Sequence, residues 1–217
     1  MKKLFRLLPA LLAAVLIFNT SGCSSLYYAA YEKIGVYKRD LLKKRVIEAR
    51  DDQKAAQQQF KDALTRLKEI TKFDSGEAER AHRDLKSEYD GCVTQADTVR
   101  KRIREVETVS SDLFAEWEKE ISEISTPSLQ SASRQQLATT KQRYQELHTA
   151  LVSAEQTMAP VLRQFNDYVL YLKHNLNAQA IASLKGEAAS ITMEINRLIE
   201  QMNKSITRAD EFVKNMK

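Results

Sequence analysis

Residues 42–70 read LKKRVIEARDDQKAAQQQFKDALTRLKEI, and their spacing decides the fold. Leu42, Val46, Ala49, Gln53, Ala56, Phe60, Ala63, Leu67 and Ile70 follow one another at alternating steps of four and three. Such steps place side chains on one narrow face of an α-helix, the seam along which helices pack as coiled coils. The intervening positions are mostly Lys, Arg, Asp, Glu and Gln, which suit a solvated helix face.

The same spacing recurs three times. One series runs Tyr89, Cys92, Ala96, Val99, Ile103, Val106, then shifts to Val109, Leu113, Trp117, Ile121, Ile124. Another runs Leu137, Thr140, Tyr144, Leu147, Leu151, Ala154, Met158, Val161, Phe165, Tyr168, Leu172. The last runs Ile181, Leu184, Ala188, Ile191, Ile195, Leu198, Met202, Ile206, Ala209, Val213. The slips near Tyr89, Val109 and Met202 resemble stutters, which locally unwind a supercoil.

The breaks fall between the series. Asp74-Ser75-Gly76-Glu77 predicts a capping-box-like helix start. Ser125-Thr126-Pro127 predicts a cap followed by Pro in the first turn. Asn175-Leu176-Asn177 predicts a turn, because Asn tolerates left-handed backbone. Helices are thus expected at about 26–72, 75–125, 128–175 and 178–217. At about 1.5 Å per residue each spans roughly 60–75 Å. Matched rods of this kind predict an all-α fold, an elongated antiparallel coiled coil or up-down bundle of four long helices in one domain. Two pairs of antiparallel coiled coil, or a bundle open at one end, satisfy the same stripes. The third stripe keeps its phase through Pro160, which predicts a kink, with a break as the alternative. Only five Gly and three Pro in 217 residues agree with a chain short of turns.

The N-terminus has a different grammar. Lys2, Lys3 and Arg6 lead an apolar stretch from Leu7 to Phe18, and Thr20-Ser21-Gly22-Cys23 closes it. This is the three-part pattern of an export signal. The apolar run is about a dozen residues where a spanning helix needs about 20. The Thr20–Cys23 tetrad resembles a bacterial lipobox, which predicts a signal over 1–22 and lipid on Cys23; ordinary secretion with a cleaved signal and an uncleaved anchor are the alternatives. Ser24 stands where an Asp would signal inner-membrane retention in enterobacterial-type lipoproteins, which favours the outer membrane. Two or more acyl chains give stable anchoring where a single chain does not.

Charge and motifs bound the function. Removing residues 1–22 removes three basic and no acidic residues, leaving 31 basic against 29 acidic, a net of +2. The basic pI of the whole chain is therefore largely a property of the leader and no argument for nucleic acid. With Cys23 lipidated, Cys92 has no partner for an internal disulfide, and its place on an apolar stripe predicts burial. No Gly-x-x-x-x-Gly-Lys-Ser/Thr, Cys-x-x-Cys, His-Glu-x-x-His or Gly-x-Ser-x-Gly occurs, so no enzyme is expected. Glu79-Arg80-Ala81-His82 is half of a di-metal helical motif; His148 and His174 lack the matching Glu, so neither metal nor cofactor is expected.

One segment stands apart. Tyr27, Tyr28, Tyr31 and Tyr37 place four of the eight tyrosines in eleven residues, and Lys38, Arg39, Lys43, Lys44 and Arg45 follow. Aromatic rings favour the membrane interface and basic groups attract anionic head groups. The segment reads either as a membrane-proximal collar or as an ordinary amphipathic helix start with a solvated basic face.

Tyr31 to Asp40, YEKIGVYKRD, with Arg45, Ala49-Arg50-Asp51 and Gln59-Phe60, is similar to a bacterial family known only as a domain of unknown function; so is Tyr171 to Ile181, YLKHNLNAQAI. The resemblance implies a helical protein of about this size, often with a lipobox, and supplies no catalytic residues. Some members carry a DNA-repair label, which long coiled coils attract by composition. The expectation is a lipid-anchored periplasmic scaffold or adaptor. It would be membrane-bound through Cys23, meeting a protein partner or a second copy through its helical faces, with no nucleic acid. The alternatives are an envelope polyanion binder using residues 38–45, or a cytoplasmic repair-associated coiled coil.

Overall fold

The computed structural model describes residues 37–73 and 77–216, and they form four α-helices with no strand among them. These are α1 (Lys38–Ile70), α2 (Ala78–Glu123), α3 (Pro127–His174) and α4 (Ala178–Asn215). The chain divides into two compact units, Met1–Leu41 and Leu42–Lys217. Of the first, the described residues are Tyr37 to Leu41, which enter α1. The second is a helical bundle.

Most of each predicted seam became a core row, while Tyr89, Trp117, Ile124, Thr140, Tyr144 and Ala188 are only half-buried. On α1, all nine seam positions from Leu42 to Ile70 are buried, including Gln53. On α2, Cys92, Ala96, Val99, Ile103, Val106, Val109, Leu113 and Ile121 are buried, and Ala78, Ala81 and Leu85 extend the row toward the start of the helix. On α3, Leu147, Leu151, Ala154, Met158, Val161, Phe165, Tyr168 and Leu172 are buried. Burying one such Leu, Phe or Met side chain stabilises by about 1.5–3 kcal/mol, so the helices are held by their rows rather than by propensity.

α4 departs from expectation at the predicted slip. Past Met202 the buried positions are Ser205, Ala209, Phe212 and Met216; Ile206 and Val213 sit at the margin. The three-four alternation simply continues, and a serine occupies the row. Ser205 Oγ donates to Met202 O at 2.9 Å, so its hydroxyl is satisfied by its own helix and burial costs little.

Cross-helix contacts fix the topology. Gln59 meets Glu88 and Arg102 meets Asp52, so α1 and α2 run antiparallel. Trp117 Nε1 donates to Ser133 Oγ and Arg100 reaches Glu155, giving the same for α2 and α3. Tyr168 meets Glu187 and Arg208 approaches Glu146 between α3 and α4. Arg50 pairs with Asp210, and Gln57 with Asn203, closing α4 back onto α1. α2 and α4 touch only sparingly, as diagonal helices do. The arrangement is an up-down four-helix bundle.

The turns revise one expectation. α2 begins at Ala78, with Glu77 at the N-cap and its carboxylate 3.4 Å from Arg80; the expected capping box starts at Asp74, and residues 74–76 lie outside the described residues. Asn175 and Asn177 have φ of −132° and −147°, so neither is left-handed. Asn177 is instead a working N-cap, its Oδ1 accepting from Ala180 N at 3.0 Å. Thr126 and Pro127 take the predicted cap and first-turn places. Gln130 Nε2 closes that turn by donating to the carbonyls of Ile121 and Ile124. α3 runs unbroken through Pro160.

Two glycines and one glutamine yield tests. A Cβ on Gly186 would meet nothing within 4 Å, whereas one on Gly91 would lie 2.7 Å from Gln59 Nε2. Gly186→Ala is expected to raise stability by up to about 1 kcal/mol. Gly91→Ala is expected to gain less, since Gln59 must move. Denaturant titration of both variants checks this, and an equal gain at the two sites would contradict the close approach. Gln53 is fully buried and both its amide atoms lack a hydrogen-bond partner. Each such atom costs about 1–3 kcal/mol, so Gln53→Leu is expected to shift the urea midpoint upward.

Candidate functional site

The candidate residues named from sequence divide between described and undescribed parts of the chain. Cys23, Tyr27, Tyr28 and Tyr31 lie outside the described residues. Tyr37 is 69% exposed, Arg39 and Lys44 are exposed, and Lys38 and Lys43 are half-buried.

Arg45 has a structural task. Its Nη1 lies 2.7 Å from Glu48 Oε2 and 3.5 Å from Glu105 Oε2. Arg102 on α2 completes the cluster, reaching Asp52 at 2.6 Å, Glu105 at 2.7 Å and Glu48 at 3.3 Å. Two guanidinium groups and three carboxylates thus clamp α1 to α2. The hydrogen bonds it donates to Asp52 and Glu105 hold the Arg102 guanidinium above its ordinary value. These groups keep about a quarter of their surface in water, so screening limits what each pair contributes. On the α4 side, Asp210 and Asp51 raise Arg50 in the same way.

The stretches that carried the family resemblance now have physical roles. Arg45 and Arg50 pin α1 to its two neighbours. Gln59 hands its amide to Glu88 across the Gly91 notch, while Phe60 fills the core. Within Tyr171 to Ile181, Leu172, Ala180 and Ile181 are buried and Asn177 caps α4, so this stretch builds the α3–α4 turn.

The histidines are placed singly. His148 Nε2 lies 2.6 Å from Glu107 Oε1 and its ring stacks on Tyr144. Among the described residues no three of His, Cys, Asp or Glu come together as a metal-holding group. Cys92 is buried on α2, its thiol against the Gln59 carbonyl at 3.9 Å. Burial, with Glu88 and Asp62 nearby, pushes that thiol up to about 12 from 9.0.

One feature escaped the sequence reading. Between α3 and the end of α4 lies a groove of about 400 Å³, lined by Arg143, Glu146, Arg208, Glu211, Phe212 and Lys214 among others. Arg208 takes both acids, reaching Glu211 at 2.8 Å and Glu146 at 3.6 Å. Arg143 and Lys214 are exposed, and neither has a carboxylate at ion-pair distance among the described residues. Phe212 forms the floor and continues into an aromatic cluster with Tyr144 and Phe114. The two cations lie 71 residues apart in the chain, so only the α3–α4 register brings them together.

These elements define an all-helical protein of the up-down bundle class, and no described helix is long and apolar enough to cross a membrane. The model of the family described as "Protein of unknown function (DUF2959)" matches residues 27–216, and the chain belongs to that family. No curated protein and no solved structure matches it.

Cys92 supplies a measurable consequence. In a Cys23→Ser chain, iodoacetamide at pH 8 is expected to leave Cys92 unmodified until the bundle unfolds. The folded thiol titrates above its unfolded value. Its contribution to stability is therefore complete below pH 9 and is lost as pH rises from 9 toward 12. Alkylation of the native protein at the rate of the unfolded chain would show that Cys92 is accessible.

Proposed function

We propose that the protein is a non-enzymatic, lipid-anchored helical scaffold or adaptor of the bacterial cell envelope, held in the periplasm through Cys23. The observation that carries this reading is Cys23 itself, closing a basic-led apolar segment too short to span a bilayer. Ser24, where an Asp would signal inner-membrane retention, favours the outer membrane over the inner one. The body supports the reading by its economy. Its apolar rows are spent on packing four long helices together, and among the described residues the buried polar ones are Gln53, Ser110 and Ser205, none of them an acid or a base. Such a bundle offers long polar faces for partner proteins and a stiff body on a lipid tether.

Metabolic palmitate labelling with membrane fractionation tests the anchor. The wild-type chain is expected to carry label and to sediment with outer membranes, and Cys23→Ala to lose both properties. Absence of label from the wild type would remove the basis for an envelope scaffold.

A further inference from the structure

We propose that the groove between α3 and the end of α4 is a contact site for the phosphate of an anionic lipid headgroup, with Arg143 and Lys214 as its two cationic jaws. Three cations face two acids in the groove, a net of one positive charge, and both acids lie against Arg208, so Arg143 and Lys214 stand without an ion-pair partner among the described residues beside Phe212. An aromatic floor under two exposed cations suits a ligand with an anionic head and an apolar neighbour. A phospholipid headgroup has that composition, and a bare inorganic anion has only half of it.

Register adds a second observation. The Arg50–Asp210 pair fixes α1 against α4. Lys43 and Lys44 lie about two turns toward the start of α1 from Arg50, and the antiparallel partner of that level is the last turn of α4, where Lys214 sits. Neither Lys43 nor Lys44 has an ion pair among the described residues. At the level where α4 ends and α1 begins, the bundle therefore gathers four cations without an ion-pair partner among the described residues. Each Lys or Arg near an anionic leaflet contributes on the order of 1 kcal/mol, falling off within a Debye length. A groove with two jaws and two nearby lysines is weak as a pocket for a free ion and effective against a surface.

This inference rests on the proposed membrane location for its setting, but its test is independent of the lipid on Cys23. The full-length Cys23→Ser chain, which carries no acyl group, is sedimented with two kinds of vesicle. One kind is phosphatidylcholine alone; the other is phosphatidylcholine with phosphatidylglycerol. The readout is the ratio of binding to the two, so that any apolar contribution of the leader cancels. A preference for the anionic vesicles is expected. In Arg143→Gln/Lys214→Gln it should fall by about tenfold or more, with helicity and melting unchanged. A control, Lys54→Gln/Lys185→Gln, removes the same net charge from exposed positions elsewhere and should keep the preference. An equal loss in the control, or an undiminished preference in the groove variant, would overturn the site. So would inorganic phosphate abolishing the preference at concentrations where chloride of equal ionic strength does not, since that would make the groove a free-anion site.

Discussion

Everything in this bundle depends on four apolar rows that must stay in phase with one another over their whole length. A helix of 48 residues such as α3 has no means of holding itself straight and dehydrated except by lying against neighbours with a matching row. The rows are narrow, because steps of three and four repeat with almost no relief. That narrowness forces each helix to meet two neighbours and no more, which gives a square of antiparallel contacts with an almost empty diagonal. The turns then fall where a row ends. Asn177 and Pro127 do not decide the topology; they end one row and start the next with satisfied backbone groups.

Narrow rows create a specificity problem, since a helix can slide by one heptad and still bury apolar residues. The polar contacts at the edges of the rows answer it. Arg102, Arg45 and their three carboxylates lock α1 to α2 at one level. Arg50–Asp210 and Gln57–Asn203 lock α1 to α4 on either side of Gln53. These pairs are partly solvated, so they add little to stability and a good deal to register, because a shifted helix would face like charges. Gln53 does not share this role: fully buried and without a hydrogen-bond partner, it costs the native packing and is offset by the apolar rows around it.

Much of this was legible in the sequence. The α1 row was complete in the spacing of Leu42 to Ile70, and the α3 row held from Leu147 to Leu172 across Pro160. The misreading at Ile206 shows the limit of a pattern built on hydrophobicity. Geometry required position 205, and a serine can occupy it because its hydroxyl folds back on Met202 O. Asn177 was seen as a turn residue but assigned the wrong mechanism, since capping and left-handed backbone leave the same residue type in the sequence. Cross-helix ion pairs and the α3–α4 groove were not legible at all. Arg143 and Lys214 look like two of many surface cations until the register between their helices is known.

As the membrane contact proposed above, that groove would be weak taken alone. A free protein would gain little from two jaws and two lysines, because association must first offset the loss of translational freedom. A chain tethered through acyl chains has already met that cost. Its surface is held near the leaflet at high effective concentration, where a contact too weak to recruit the protein is strong enough to bias its orientation. For a stiff bundle, orientation governs which polar faces are turned to the surroundings and which are turned to the lipid. The tether and the groove would thus divide the work: one sets where the protein is, and the other sets which way it points.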